Sequence, residues 1–282
     1  MLNLPPDFTF SQSNIQDFLE CPRRFYLRHV RRLLWPNREM SGETETTRRI
    51  EMGYTFHRLA QQKVLGISDD LLFKFIATQP LEFQEWWGNF LYWWDQALPN
   101  VLYGERYAET TLSCGLAGFR LIAKYDLLVI HPDNTVTIFD WKTIHPPVRV
   151  ENFIHHVQTR VYPFVFSLAG TTLLNSQEIT PQQITMIYWF TADPFKPQQL
   201  LYSSNQYQAD ENYLTHLITE ISGRNGNDFP LTQNEKLCGH CVYRTYCDRQ
   251  FVETSQENDL DLTDNPPLQP PDDWEQISEI VY

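Results

Sequence analysis

The sequence predicts an α/β protein in which helices pack on a mixed sheet, and three observations predict it. Apolar residues recur at helical spacing through the first hundred or so residues, then alternate with polar ones from Tyr107 to Thr143. Beyond Val150 the pattern runs helix, two strands, helix. The order helices, strands, helix, strands, helix requires a sheet with parallel as well as antiparallel neighbours, covered by helices.

Each element has a local cause. Ser13 followed by Gln16 makes a capping box, and Ile15, Phe18, Leu19, Phe25 and Tyr26 supply an apolar face, so residues 13–31 read as helix, bent by Pro22. A polar linker from about Trp35 to Thr46 leads to a second helix, closed by Gly66, with Ile50, Tyr54, His57 and Val64 on one stripe. Two more helices follow, and the Trp and Phe residues between Leu81 and Leu98 read as core, because large rings at helical spacing bury the most area. ETTLSC, FRLIAKYDLLVIH and TVTIFDWKT are three strands of a meander, parted by Gly115–Gly118 and by Pro132-Asp133-Asn134. A helix over 150–168, strands at ITMIYWFT and QLLYSS, and a helix from Tyr207 to Ile221 complete the pattern. Residues 1–252 are expected to form one domain. The segment 253–282, with two Pro-Pro pairs and no periodicity, is expected to be a disordered tail.

Composition narrows the class. With 282 residues and 42% apolar content the chain can bury a substantial core. No charged-then-apolar leader opens it, and its longest apolar run, Val161 to Leu174, is interrupted by Pro163 and too short to span a bilayer, so a cytoplasmic, membrane-free protein is expected. The net charge of −13 argues against a nucleic-acid partner until its distribution is read. Nine acids and no Lys or Arg lie between Glu253 and Tyr282, so the first 252 residues carry only −4. CPRRFYLRHVRR, residues 21–32, holds five arginines and one histidine without an acid, a patch suited to phosphates.

Chemistry-bearing residues fall in two groups. Cys238, Cys241 and Cys247 have C-x2-C-x5-C spacing, which brings three thiolates to one metal centre with a place for a distant fourth, Cys21. Five cysteines in a chain with no secretory leader favour metal or redox chemistry over disulfides, and Cys114 reads as a buried bystander. Four thiolates accept either an iron–sulfur cluster or zinc.

The second group lies on the hairpin. If Pro132-Asp133-Asn134 is a three-residue loop, opposing residue numbers sum to 266, and Asp126 then faces Asp140. Directly opposed like charges are destabilising, so the sheet tolerates them best with a cation between them. Lys142, two residues beyond Asp140, points to the same face. Hard carboxylate oxygens suit Mg2+ or Mn2+, which activates water and neutralises charge on a phosphate, while the lysine orients that water or stabilises the transition state. Gln158 and Tyr162, four apart, make a polar stripe with His155 on the following helix.

These pieces, in this order, resemble the RecB-type branch of the PD-(D/E)XK nucleases. The matching residues are SxSxIxxFxxCPRRF from Ser11 to Phe25, GxxxH from Gly53 to His57, Asp126, DWK from Asp140 to Lys142, and QxxxY from Gln158 to Tyr162. With the four cysteines they are similar to the iron–sulfur members, the AddB nuclease domain and the small nucleases of CRISPR adaptation. The resemblance implies a restriction-endonuclease-like mixed sheet whose N- and C-terminal segments are joined by a metal cluster. It implies that His57, Asp126, Asp140 and the main-chain carbonyl of Trp141 bind Mg2+ or Mn2+, and that Lys142 is the catalytic lysine. Gln158, Tyr162, Arg23 and Arg24 would contact DNA, and Cys21, Cys238, Cys241 and Cys247 would hold a [4Fe–4S] cluster, with zinc as the alternative.

The expected activity is metal-dependent hydrolysis of DNA phosphodiesters, on single strands or ends, in repair, recombination or defence. The alternative is a catalytically silent DNA-binding or structural subunit of the same fold. No G-x-x-x-x-G-K-[ST] sequence occurs, so any translocation would need a partner such as a helicase.

Overall fold

A single long strand organises the sheet. The structure is a computed structural model, and it describes residues 4–5, 7–33, 45–97, 99–143, 156–174, 177–239 and 241–249. The predicted linker from Trp35, the start of the helix predicted from Val150, His155 and the acidic tail therefore lie largely or wholly outside the described residues. The strands are β1 (Thr9–Ser11), β2 (Glu105–Leu116), β3 (Phe119–Ile130), β4 (Val136–Lys142), β5 (Ile184–Phe190) and β6 (Gln198–Leu201). The helices are α1 (Gln12–Glu20), α2 (Pro22–Phe25), α3 (Glu45–Val64), α4 (Asp69–Ile76), α5 (Leu81–Ala97), α6 (Val157–Ala169) and α7 (Ser204–Gly223). No helix among the described residues is long and apolar enough to cross a membrane.

β2 covers one edge of β3 from end to end, antiparallel, through a two-residue turn in which Ala117 and Gly118 both take left-handed φ. The other edge of β3 is shared. β1 pairs parallel with Arg120–Ile122, and β4 pairs antiparallel with Leu127–Ile130. Between those two ladders, residues 123–126 of β3 have no strand partner on that edge among the described residues, and Asp126 ends this gap. β5 then runs parallel to β4, and β6 antiparallel to β5, so the sheet is mixed. The β3–β4 register is the predicted one: Leu127 pairs with Phe139 and Ile130 with Val136, and the loop closes by His131 N–H donating to Thr135 O at 2.9 Å.

The chain divides into two compact units. The larger, Pro6–Gln12 with Glu51–Ile221, holds the sheet. Its core lies against one sheet face, where Phe56 of α3, Leu72 of α4, and Phe83, Trp87 and Phe90 of α5 pack with Leu127, Val129, Phe139, Trp141 and Trp189. The aromatic stripe of α5 is core, as its spacing predicts, and each fully buried ring such as Phe90 stabilises the fold by about 2–3 kcal/mol. α6 packs on β2, β3 and β5, and there Thr159 Oγ1 meets the Tyr188 hydroxyl at 2.7 Å.

The smaller unit is Met1–Pro5, Ser13–Ile50 and Ser222–Tyr282. The predicted helix over 13–31 is broken where Pro22 stands: α1 ends at Glu20, α2 starts at Pro22, and Tyr26–Val30 follow as a wide π-turn. Phe25 and Tyr26 stack on Phe229, the Arg23 N–H donates to Pro230 O at 3.1 Å, and the Tyr243 hydroxyl donates to Leu33 O at 2.8 Å. Residues 23–33 thus meet residues 229–243 within this unit.

Candidate active site and cysteine cluster

Asp126 sits where β3 leaves its edge open. One step past the last β3–β4 pair brings it opposite Asp140, but here the Asp126 carboxylate replaces a strand: Oδ2 accepts the Trp141 backbone N–H at 2.7 Å. Its other oxygen, Oδ1, lies 3.1 Å from His57 Nδ1 on α3. α3 can come this near because Gly53, one turn before His57, has no side chain; a Cβ there would stand 3.1 Å from Thr143 Oγ1, just beyond β4.

Asp140 and Lys142 leave β4 on the same face and are both buried, their side chains 5% and 3% exposed. Lys142 Nζ lies 2.9 Å from Asp140 Oδ2. Gln158 of α6 closes the triangle, its amide N–H donating to Asp140 Oδ1 at 2.5 Å and its carbonyl accepting from Lys142 Nζ at 2.8 Å. Tyr162 is buried one turn further on, and its backbone carbonyl accepts the Tyr125 hydroxyl at 2.9 Å. Predicted as residues that hold a DNA strand, Gln158 and Tyr162 both face inward in this structure, and Gln158 holds the acid and the lysine.

One carboxylate was not predicted. Glu109 of β2 falls opposite Asp126, between the pairs Ala108–Leu127 and Thr110–Tyr125, and its backbone is left-handed at φ 50. His57, Glu109 and Asp126 offer ligand atoms all within 4.8 Å of one another, and they are the histidine, cysteine or acid group so assembled among the described residues. Lys124 pairs with Glu109 at 2.5 Å. A sequence signal existed, since Glu109 and Asp126 sit symmetrically about the Ala117-Gly118 turn, but only with the β2–β3 register in hand.

The electrostatics follow from crowding. Burial pushes the Asp126 carboxyl up, but the neighbouring His57, the Trp141 N–H and Lys142 outweigh it and hold the group below the usual carboxylate range. Burial works against His57 protonation, yet Asp126 first, then Glu109 and Asp140, raise it to about 9. Glu109 is pushed up by burial and by Asp126, against the pull of Lys124 and His57. A donor set of two or three carboxylates and one imidazole fits a hard divalent cation.

In the smaller unit, Cys21 and Cys238 are buried and Cys241 and Cys247 half-buried, all as free thiols. Burial raises Cys238, Cys241 and Cys247, the last to about 11, and nearby thiols add to it: Cys21 acts on all three, and Cys238 and Cys241 on Cys247. The four thiols thus lie close enough to act on one another electrostatically. No three of their sulfurs lie mutually within 4.8 Å.

The predicted phosphate-binding arginines are partly committed elsewhere. Asp17, fully buried, receives Arg24 Nε at 2.6 Å, Arg28 Nη1 at 2.9 Å and His29 Nε2 at 2.7 Å, and Arg24 also pairs with Glu20. Arg24, at 11% side-chain exposure, is in this structure an internal ion-pair partner. Arg23 is half-buried, and Arg31 lies on the surface of this unit.

Among solved structures, a protein from Eubacterium rectale, provisionally named an exonuclease, aligns over 91% of this chain and 94% of its own, at 11% identity and a TM-score of 0.51, a likeness of fold. The crystal structure of SSO0001 aligns over 86% of this chain and 88% of its own, at 12% identity and a TM-score of 0.42, too loose to carry weight. No curated protein sequence matches the chain. The family described as the PD-(D/E)XK nuclease superfamily matches residues 9–248. That match takes in all six strands and both residue groups described above, and on it the chain belongs to the PD-(D/E)XK nuclease superfamily.

Proposed function

We propose that this nuclease is a Mg2+- or Mn2+-dependent deoxyribonuclease that hydrolyses phosphodiesters in single-stranded DNA or at DNA ends. The observation that carries the reading is the meeting of Asp126, Asp140 and Lys142 at the open edge of β3 in a chain of this superfamily. His57, Asp126, Asp140 and the Trp141 carbonyl would hold the cation, which when bound lowers the pKa of a water and neutralises charge on the scissile phosphate. Asp126 is oriented for this by two fixed bonds, from the Trp141 N–H and to His57. Lys142, held beside Asp140 and aimed by Gln158, would stabilise the developing phosphate charge or position the attacking water. Gln158 acts through those two side chains.

Cys21, Cys238, Cys241 and Cys247 would hold a [4Fe–4S] cluster that fastens the two ends of the smaller unit. Zinc, which also accepts four thiolates, is the alternative. DNA repair, recombination or defence is the setting such chemistry suits, with a helicase or other recombination protein as partner.

The test is Mn2+-dependent cleavage of labelled single-stranded DNA by protein purified without oxygen, beside Lys142→Ala and Asp140→Asn. Cleavage by the parent protein that both substitutions abolish is expected. Equal cutting by all three would sink the assignment, and strand binding by all three without cutting would make the chain a silent DNA-binding subunit.

A further inference from the structure

We infer that Glu109 is a ligand of the same divalent cation, completing with His57 and Asp126 a three-donor seat on the solvent side of the centre. The inference rests on the metal-dependent reading above and adds a residue that lies outside the DWK, GxxxH and QxxxY motifs.

The first argument is placement. Glu109 and Asp126 face each other on paired antiparallel strands, where two carboxylates repel, and the ladder on either side of them is regular. The chain reaches this arrangement through a left-handed glutamate in mid-strand, a conformation unfavourable for a residue with a side chain. Repulsion and backbone cost at one point are offset when a cation binds both acids.

Donor chemistry is the second. Glu109 and Asp126 bring two carboxylates and His57 an imidazole, with ligand atoms all within 4.8 Å of one another. Lys124 approaches Glu109 from the surface, its side chain 36% exposed. Asp140 and Lys142, by contrast, form a closed pair with Gln158.

Access is the third. The Glu109, Asp126 and His57 side chains are 15%, 15% and 30% exposed, open enough to admit a hydrated ion, whereas Asp140 and Lys142 are sealed. With Asp140 and the Trp141 carbonyl, these three donors would fill five of six octahedral positions and leave one for water or a phosphate oxygen.

Mn2+ binding to the full chain, read from the loss of the free-ion electron paramagnetic resonance signal, tests this without relying on turnover. Glu109→Gln should weaken binding by roughly tenfold or more, Glu109→Asp by less, and Lys124→Met should leave it unchanged or tighter. Each protein's metal-free melting temperature is recorded alongside. Wild-type affinity in Glu109→Gln would overturn the inference, and so would equal losses in Glu109→Gln and Lys124→Met, which would mean the glutamate acts through its ion pair. Failure of the wild type itself to bind Mn2+ would instead overturn the metal-dependent reading on which both stand.

Discussion

Two groups of buried or half-buried acids, one in each unit, differ in how many acids gather and in their access to solvent. In the smaller unit a single carboxylate, Asp17, is ringed by Arg24, Arg28 and His29 and has no exposure at all. At the sheet, three carboxylates share two lysines and a histidine, and the group is open to solvent on its Glu109 side. A lone acid ringed by cations away from solvent is a structural tie, answered from within the protein. Acids gathered with an imidazole at an opening make a place that an external cation can enter. Burial alone does not separate the two, because Asp17 and Asp140 are both nearly sealed.

The difference can be broken most forcefully at its structural side. Asp17→Asn strips the charge from a site that leaves Arg24 and Arg28 buried, and should cost about 3 kcal/mol or more, read as a lower melting temperature with no change in Mn2+ affinity. The same residue gives a pH signature. Burial opposes its ionisation, but Arg28, His29 and Arg24 hold it well below its usual 3.8, so its stabilisation is complete above about pH 4 and is lost as pH falls further. Asp17→Asn should therefore flatten the acid limb of a stability profile measured from pH 2 to 6.

Next in size is Lys142→Ala, expected to lower cleavage by roughly a hundredfold or more with a smaller loss of stability, because Gln158 still donates to Asp140. Gln158→Leu keeps the bulk and deletes both bonds. It should cost about 1–3 kcal/mol in a denaturant melt and lower cleavage less than Lys142→Ala does, which separates a positioning residue from one at the phosphate. Gly53→Ala is the mildest. Alanine favours the helix by about 1 kcal/mol while its Cβ presses on Thr143, so melting should move little and cleavage fall only several-fold as His57 shifts.

What the sequence made legible follows the same division. Register arithmetic placed Asp126 opposite Asp140 because the loop at Pro132–Asn134 is short and its composition fixes it, and the aromatic stripe of α5 declared its burial by period. Cys21 was grouped with the C-terminal cysteines as a distant fourth thiolate, and each of those three thiols feels Cys21 electrostatically. Glu109 was hidden because its role depends on a left-handed break in a strand that otherwise reads as ordinary alternation. Asp17 was hidden for another reason: its partners lie beyond the Pro22 break and the π-turn, where helical spacing no longer predicts who faces whom. The arginine run was read as a surface patch, yet composition says nothing of an aspartate reaching it from the preceding helix. A strand of three residues, β1, is too short to announce itself by alternation, although it defines one side of the gap that holds Asp126.

Cleavage of labelled single-stranded DNA as a function of added Mn2+, for the parent protein and for Asp126→Asn, is the most direct test of the open acid group as a cation-completed centre. The account predicts no cutting in chelator, a rise that saturates with Mn2+ in the parent protein, and silence from Asp126→Asn across the titration. Cutting that survives chelation, or a Mn2+ response in Asp126→Asn equal to the parent's, would contradict it.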